Sequence, residues 1–203
     1  MPETCDGDGP PTYQATLAAD GMSTEINFDG ALVPVRELAT TATLGHFATP
    51  RLGWTITAGA IVAGSIEGRE LDGGATIAGA LSWLPVYEKP RRPFVAFSVS
   101  LGTALARGTA DDGVRAWFSA WDLRGGALIG KTLAGHFVPY AAVRVFGGPV
   151  FWRRGGDDVV GGDRRHVTLG AGITIRLPAR MDLSAECMPL GEHSLSGALT
   201  LHF

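Results

Sequence analysis

The sequence predicts a closed, antiparallel, up-and-down transmembrane β-barrel of about ten strands, with eight or twelve strands as alternatives. First, apolar and small or polar residues alternate with a period of two in most segments after residue 36, which is typical of strands. Second, turn residues separate these segments at the spacing of β-hairpins. Third, 45% of the residues are hydrophobic, yet no window of about 18 residues is uninterruptedly apolar. A transmembrane barrel combines these features, because its apolar side chains come at every second position.

Composition and charge exclude several other classes of protein. The 203 residues suffice for one domain, and the 29 glycines are about twice the usual share. Charged residues make up only 18% of the chain, so it is not intrinsically disordered. The net charge of −3 lacks the basic excess of a nucleic-acid-binding protein, so no nucleic acid is expected as a partner. The spacing of Cys5 and Cys187 fits neither a disulfide framework nor a metal site, and neither a metal nor a cofactor is expected.

Alternation is clearest in two segments. From Trp54 to Ile66 the even positions are apolar or glycine, and the odd positions are mostly small or polar. From Val167 to Leu177 aliphatic residues alternate with threonine, glycine and arginine. A helix would scatter these residues around its circumference, so both segments are predicted to be strands. The same pattern with more noise predicts strands at 75–83, 95–102, 114–121, 137–145, 182–187 and 194–203, with 36–47 and 126–134 as further candidates.

The chain divides into a barrel and a different N-terminal segment. Residues 31–203 are predicted to form the barrel, and no second domain or internal repeat is visible in them. Residues 1–30 are predicted to be an N-terminal tail, a plug inside the barrel or an extra hairpin. The first residues lack the basic region and the apolar stretch of a secretion signal. We therefore expect the sequence to be the mature form of an exported protein.

The composition of the two strand faces indicates which face meets lipid. Outward faces of soluble sheets are usually rich in lysine, glutamate, threonine and glutamine. The polar faces here instead carry mainly glycine, alanine, serine and threonine, with isolated charges. Small polar residues suit a narrow enclosed lumen, so the apolar faces are predicted to meet lipid. A soluble barrel that binds an apolar ligand in its core is the alternative.

Charged residues on the polar faces are predicted to line the lumen. Arg176 and Asp182 flank a turn and are expected to face each other, because an unpaired charge in a low-dielectric lumen is costly. Such charges either form a salt-bridge ladder that stiffens a plugged barrel or act as the filter of a small pore, and both alternatives stay open. The candidates are Glu67, Arg115, Arg144, Arg176, Asp182 and Glu186, with Lys131 as a further one.

Aromatic residues are predicted to form belts at the membrane interfaces, where amphipathic rings prefer to lie. This prediction assumes that one set of loops lies on the outer side: 48–52, 88–93, 122–126, 154–165 and 190–193. The predicted belt residues are Trp54, Trp83, Trp121, Trp152 and Phe203.

The segment Leu195-Ser196-Gly197-Ala198-Leu199-Thr200-Leu201-His202-Phe203 alternates strictly and ends in phenylalanine. With this ending, and with the barrel pattern over about residues 36–203, the chain resembles the small outer-membrane β-barrel proteins of Gram-negative bacteria. Leu201 replaces the more usual aromatic residue, and Gly197 lies one place from the common glycine position. The resemblance implies a location in the outer membrane and recognition of Phe203 by the barrel-assembly machinery. It indicates no subfamily of known activity.

Basic residues in the predicted outer loops form a second candidate group. On the outer leaflet they would meet lipopolysaccharide phosphates, which suit the bidentate fork of arginine. Solvated loop charge is the alternative. The group comprises Lys89, Arg91, Arg92, Arg153, Arg154, Arg164 and Arg165.

The expected function is non-enzymatic: a barrel that passes a small solute, or a structural surface barrel that contacts lipopolysaccharide. A lipid-modifying hydrolase is the enzymatic alternative, because Glu192-His193-Ser194 places a base beside a nucleophile and Glu186 is a candidate to orient the base. However, neighbouring residues of a strand point to opposite faces, so the side chains of His193 and Ser194 are expected to diverge. No catalytic residue is therefore assigned.

Overall fold

A computed structural model describes residues 12–203, and these residues form antiparallel β-structure throughout. In this part of the chain no helix is both long and apolar enough to cross a membrane. The strands are β1 (Tyr13–Phe28), β2 (Ala31–Thr49), β3 (Leu52–Ile66), β4 (Arg69–Val86), β5 (Phe94–Thr109), β6 (Arg115–Gly130), β7 (Phe137–Gly147), β8 (Pro149–Arg154), β9 (Asp157–Asp163), β10 (Val167–Leu177), β11 (Met181–Leu190) and β12 (His193–His202).

Ten of these strands close into a ring, namely β1 to β7 followed by β10, β11 and β12. The ring closes where β12 pairs with β1, from Gln14 opposite His202 to Ser23 opposite His193. Neighbouring strands pair around the whole ring, so its wall leaves no free sheet edge and its backbone groups are hydrogen-bonded within the wall. The predicted closed, antiparallel barrel of about ten strands is confirmed.

The ring narrows from ten strands to eight at one end. We call the end at which β1 begins and β12 ends the terminal end, and the opposite end the capped end. At the capped end β8 pairs with β6 at Ser119 and Ala120, and β9 pairs with β1 at Ile26 and Asn27. Since β8 also pairs with β9, the ring there consists of β1 to β6 with β8 and β9.

Tight turns join the strands at the capped end. Asp29-Gly30 connects β1 to β2, and Glu67-Gly68 connects β3 to β4. All four residues have positive φ, and so do both residues of Gly155-Gly156 between β8 and β9. Positive φ at both central residues belongs to the type I′ turn, whose twist matches that of the flanking strands. The strands therefore extend to the capped end with two-residue connections at these three places.

Over most of its height the barrel is apolar outside and polar inside. Leu17, Leu44 and Leu195 point outward and are 65%, 63% and 65% exposed. Their inward neighbours are small, as Thr16 and Thr43 illustrate. Such an outer surface requires lipid around it, which agrees with the predicted orientation of the two faces.

At the capped end this arrangement is reversed. On β2, Val33 and Val35 point inward and are each 1% exposed, whereas Arg36 between them and the lipid-facing section is exposed. Other exposed charges at this level are Glu70, Asp72, Arg107 and Arg115. The barrel therefore extends beyond the apolar band, with a core like that of a soluble protein. We call this core the apolar plug; its residues are at most 6% exposed and are Ile26, Phe28, Val33, Val35, Ile61, Ile66, Leu71, Ala106, Ala110, Phe118, Val150 and Trp152.

The N-terminal segment belongs largely to the barrel wall. Residues 13–28 form β1, which pairs with β2 along its whole length and with β12. The predicted boundary at residue 31 is therefore not observed, because β1 and β2 form one hairpin around Asp29-Gly30. Of the three predicted alternatives, this stretch is neither a tail nor a plug, and it comes nearest to the extra hairpin, because β1 pairs with β2. The part of the prediction that concerns residues 1–11 lies outside the described residues.

The alternation pattern assigned Ile66 to the wrong face. Counting from Trp54 places Ile66 on the lipid side, but its side chain is fully buried in the apolar plug. The reason is an extra residue in β3: Leu38 of β2 lies opposite Ala63 and the next residue opposite Ile61, so Val62 has no partner. Such a β-bulge reverses the phase of all following side chains.

We expect Phe118→Ala to lower the free energy of unfolding by about 3–5 kcal/mol, because it leaves a cavity in the apolar plug. Leu123→Ala on the same strand is the matched control, since Leu123 is 59% exposed on the outer surface. The decrease in the free energy of unfolding for Leu123→Ala should be less than half that for Phe118→Ala. Urea titrations of both variants in detergent, followed by the heat-dependent gel shift of the folded barrel, measure the difference. Equal losses would contradict a tightly packed plug.

Candidate functional site

Small hydroxyl-bearing side chains line the lumen of the ten-stranded section. They pair across neighbouring strands, with an Oγ1–Oγ1 distance of 2.8 Å between Thr16 and Thr200 and the same distance between Thr43 and Thr57. Ser98 points into the lumen from β5 and is nevertheless exposed to solvent. Water therefore reaches the interior of the barrel in this section.

A layer of charged side chains lies between this polar section and the apolar plug. Inward-facing positions on six strands and one turn contribute to it. We call it the charged layer, and it comprises Asp20, Glu37, Asp122, Arg124, Arg144, Asp163, Glu186 and Glu192.

Arg124 of β6 is held by two carboxylates. Its Nη1 and Nη2 donate to Glu192 Oε1 and Oε2 at 3.1 and 3.3 Å, and its Nε donates to Asp122 Oδ2 at 2.9 Å. The guanidinium carbon lies 4.9 Å from the ring centroid of Phe146. Glu192 is only 5% exposed, so this bidentate pair is well shielded from water.

The turn between β11 and β12 brings Glu192 to this position. Gly191 has φ +92°, and a Cβ there would collide with Val167, so only glycine fits. Thr168 on β10 is 1% exposed, and its Oγ1 donates to the carbonyls of Leu190 and Glu192 at 2.8 and 3.0 Å. These bonds fix the turn where its glutamate reaches Arg124.

A second ion pair joins Arg144 of β7 to Glu186 of β11. Arg144 Nη2 donates to both carboxylate oxygens of Glu186, at 2.7 and 2.8 Å. Tyr140 lies on the same face of β7 and packs over Gly172, where a Cβ would collide with the phenol hydroxyl. The missing side chain of Gly172 thus makes room for a large inward-facing ring.

Three carboxylates of the charged layer have no ion-pair partner among the described residues: Asp20, Glu37 and Asp163. Asp163 lies on β9, beyond the apolar band. Burial raises its pKa to about 6, and the carboxylates of Asp122 and Glu192 act in the same direction.

A cavity of about 240 Å³ lies between the charged layer and the apolar plug. Charged side chains line one side of it and Ile26, Val35, Phe118 and Val150 the other. At about 30 Å³ per molecule of liquid water, it has room for roughly eight waters. In the described part of the chain, the inward-facing side chains are thus polar or charged on one side of this cavity, and those of the apolar plug lie on the other.

Comparison with known proteins places this geometry in a fold class. No protein-family model matches the sequence, and no curated protein matches it. The solid-state NMR structure of the outer membrane protein AlkL in DMPC lipid bilayers is 14% identical with a TM-score of 0.53, covering 100% of this chain and 95% of AlkL. The beta domain of the Bordetella autotransporter BrkA is 12% identical with a TM-score of 0.52, covering 95% of this chain and 99% of that domain. The chain has the fold of a bacterial outer-membrane β-barrel.

The predicted resemblance to outer-membrane barrels is therefore confirmed at the level of the fold, which is that of proteins of the Gram-negative outer membrane. At the seam of the barrel, Phe203 N donates to Tyr13 O and Tyr13 N donates to Phe203 O, both at 3.0 Å. Recognition of Phe203 by the assembly machinery stays a prediction.

Four of the predicted lumen charges point inward. Arg144 and Glu186 belong to the charged layer. Arg176 and Asp182 are register partners on β10 and β11, as expected, but they lie at the rim of the terminal end. There Asp182 Oδ2 accepts a hydrogen bond from His202 Nε2 at 2.9 Å rather than one from Arg176. Contact between His202 and Asp182 is possible because both face inward on neighbouring strands.

Glu67, Arg115 and Lys131 lie elsewhere, so their prediction as lumen charges was wrong. Glu67 is in the β3–β4 turn, and its Oε1 accepts from Arg154 Nε at 2.7 Å at the rim of the capped end. Arg115 is on the outer surface, 3.4 Å from Asp72, with a 75% exposed side chain. The bulge in β3 displaces Glu67, and Arg115 lies where the apolar side of the wall has turned inward.

Lys131 lies in the loop between β6 and β7 at the terminal end. Its Nζ donates to the carbonyls of Lys89 and Pro90, at 3.0 and 2.9 Å. It is therefore a loop contact rather than a lumen charge.

Most of the charged layer was missed from the sequence. Asp122 and Arg124 fall in the segment 122–126, which was interpreted as a loop but is the middle of β6. Continued alternation from Phe118 would have placed both residues on its inward face. Glu192 had no such signal, because a turn residue follows no strand alternation.

The predicted outer loops do not share one side of the membrane, so the basic residues do not form one surface. Lys89, Arg91 and Arg92 lie at the terminal end, whereas the arginines of β8 and of the segment after β9 lie at the capped end. Most capped-end arginines contact carboxylates, with N–O distances of 3.0 Å for Arg153–Asp112, 2.7 Å for Arg154–Glu67 and 2.5 Å for Arg164–Glu25, and Arg165 donates to the carbonyl of Gly191. Contact with lipopolysaccharide phosphates stays a prediction.

Four of the five residues predicted for the aromatic belts have outward-facing side chains, and their place at a membrane interface stays a prediction. Trp54, Trp83 and Phe203 point outward near the terminal end, and Trp121 points outward on β6. Trp152 is only 3% exposed and lies in the apolar plug, 6.3 Å from Phe118 between ring centroids, so its assignment to the belt was wrong. It points inward because β8 belongs to the eight-stranded ring, whose interior is apolar.

The residues of the enzymatic alternative are not assembled into a catalytic arrangement. His193 is exposed and points outward, whereas Ser194 points inward, as the alternation of a strand requires. Glu192 and Glu186 are occupied by Arg124 and Arg144. Within residues 12–203, no group of three or more His, Cys, Asp or Glu side chains is arranged to hold a metal ion.

We expect Arg124→Met to lower the free energy of unfolding by about 3–5 kcal/mol, because it leaves the buried carboxylate of Glu192 without a partner. Arg115→Met is the control, since it removes an exposed pair worth at most about 1 kcal/mol. Urea titration of each variant measures the loss. Adding Glu192→Gln to Arg124→Met should recover part of the stability, and a loss no larger than that of Arg115→Met would contradict the role of this pair.

Asp163 should make the stability depend on pH. Since its folded pKa is raised, the folded state holds the proton more tightly, and the ionised carboxylate costs stability that grows as pH rises from about 4 to about 7. We expect Asp163→Asn to raise the melting temperature at about pH 8 and to leave it nearly unchanged at about pH 4. Asp158→Asn, exposed on the same strand, is the control. A gain that is equal at both pH values would contradict this assignment.

Proposed function

We propose that the protein is a non-enzymatic outer-membrane channel for small solutes that is closed at the capped end. The observation that carries the proposal is the contrast within the lumen. The ten-stranded section is lined by small polar side chains and admits water, and a single apolar section blocks it. A polar lumen that one apolar section closes is the arrangement that a channel with a gate requires.

The β8–β9 hairpin is the element whose movement would open the lumen. It contributes Val150 and Trp152 to the apolar plug. Its backbone pairs with β6 at Ser119 and Ala120 and with β1 at Ile26 and Asn27 only. The other strands pair with their neighbours over most of their length. Fewer backbone hydrogen bonds therefore hold this hairpin in the wall than hold any other strand.

Ion pairs supplement these few bonds. Arg154 of the hairpin contacts Glu67 of the β3–β4 turn, and Arg153 contacts Asp112 of the β5–β6 loop. The amide of Gly155 at the hairpin tip donates to both carboxylate oxygens of Asp111 at 2.8 Å. These rim contacts are each worth little in water, so the packing of Val150 and Trp152 in the apolar plug is the main interaction that holds the hairpin closed.

The junction between β7 and β8 provides the hinge of this movement. Gly148 lies between the two strands, and a Cβ there would collide with the carbonyl of Trp121. The β7 side of Gly148 stays paired with β6 through Gly147, while the β8 side belongs to the hairpin. Rotation at this residue would withdraw Val150 and Trp152 from the plug together.

A disulfide across the β1–β9 seam tests the proposal. Asn27 and Gly162 are register partners, and a Cβ at Gly162 has room, so Asn27→Cys with Gly162→Cys should form a disulfide. With Cys5 and Cys187 replaced by serine, we expect current steps in planar bilayers whose frequency falls at least about tenfold on oxidation and recovers on reduction.

Leu17→Cys with Leu199→Cys is the matched control, because it joins β1 to β12 on the outer surface of a seam that stays closed in either state. Oxidation of this pair should leave the current steps unchanged. If the frequency of current steps is the same with the β1–β9 disulfide formed and with it reduced, the hairpin is not the gate. Absence of current steps from the folded protein and from both disulfide variants, oxidised and reduced, would contradict a channel.

A further inference from the structure

Negative charge predominates in the charged layer. It contains six carboxylates and two guanidinium groups, which leaves four formal negative charges in excess. Both arginines are already occupied, Arg124 by Glu192 and Asp122 and Arg144 by Glu186. Neither guanidinium is therefore free to attract an anion from the lumen.

The carboxylates without an ion-pair partner follow one wall of the lumen. Asp20 is on β1. Glu37 is on β2, opposite Met22 of β1, and Asp163 is on β9, opposite Ile26 of β1. These three strands are neighbours in the sheet. Since Asp20 and Ile26 are six residues apart on β1, the three carboxylates are spread over about 20 Å of the lumen.

The arginines come from other strands, and each is bound to a carboxylate outside this wall. Arg124 and Arg144 are on β6 and β7, which in the ten-stranded ring are separated from β1 and β2 by several strands on either side. Each arginine is drawn toward its own carboxylate. The wall formed by β9, β1 and β2 therefore carries three carboxylates that have no ion pair of their own among the described residues, and Arg124 faces Glu37 and Asp163 across the cavity next to the plug.

We propose that the open channel passes small cationic solutes in preference to anions, and that Asp20, Glu37 and Asp163 are its selectivity-determining residues. This inference rests on the proposed function. Rings and tracks of acidic side chains select cations because their field acts strongly in a narrow lumen with low-dielectric walls. Within the charged layer an anion would meet no guanidinium that is free to replace its water, because both are bound to carboxylates.

The cavity next to the plug agrees with this substrate class. Four carboxylates and one guanidinium contribute to its charged side, while its other side is apolar; the charged residues are Glu37, Asp122, Arg124, Asp163 and Glu192. A small solute with one ammonium group and a short apolar part matches both sides. A purely apolar solute matches only the apolar side, and an anionic solute does not match the charged side.

The reversal potential in a tenfold KCl gradient measures the selectivity. We expect a K⁺ to Cl⁻ permeability ratio above about five for the unmodified channel, and a ratio at least about threefold lower for Asp20→Asn with Glu37→Gln. The control is Glu70→Gln with Asp72→Asn, which removes two charges from the outer surface of β4 and should leave the ratio unchanged. The gel shift verifies that every variant is folded.

The outcomes separate this inference from the proposed function. Current steps with no selectivity or with preference for Cl⁻ overturn the cation preference and leave the channel intact. An unchanged ratio in Asp20→Asn with Glu37→Gln, or an equal change in the control, overturns the role of these carboxylates. Absence of current from the folded protein, and also from Trp152→Ala with Phe118→Ala, overturns the channel itself and the selectivity with it.

Discussion

A wall of β-strands in lipid must pair every backbone amide and carbonyl, and the architecture of this protein follows from that requirement. In the ten-stranded section the pairing of β12 with β1 satisfies it. At the capped end, β11 stops at Leu190 and β12 starts at His193, whereas β1 extends further, to Phe28, and so loses β12 as its partner. There β9 pairs with the remaining edge of β1, and β8 pairs with β9. The β8–β9 hairpin thereby becomes part of a second, smaller ring.

The loss of two strands changes the interior. A smaller ring encloses less space, which side chains fill completely, and here those side chains are apolar because the outer surface has left the lipid. The charged layer lies where the two sections meet. At that level the ring is wide enough for Arg124 and Arg144 and shielded enough for their ion pairs to be strong. The same transition thus creates both the block in the lumen and the charges next to it.

Sequence reasoning succeeded where one environment extends along a whole strand. On β10 and β12 the alternation of Val167 to Leu177 and of Leu195 to Phe203 matches the observed faces. It failed for Ile66, Arg115 and Trp152, which all lie near the change from ten strands to eight. There the apolar side is the inner one, and a bulge at Val62 adds a further phase change. Alternation gives the relative faces of residues, but not which face is enclosed.

Local pattern is therefore enough to establish the strands, their turns and an apolar face suited to lipid, since these depend on neighbours within a few residues. The closure of the ring, by contrast, joins β1 to β12 from opposite ends of the chain. The narrowing of the ring, the apolar plug and the pairs of the charged layer depend on residues that are far apart in the chain. Arg124 and Glu192 are 68 residues apart. Their contact exists only because the closed ring places a strand interior and a distant hairpin turn at the same height in a shielded lumen.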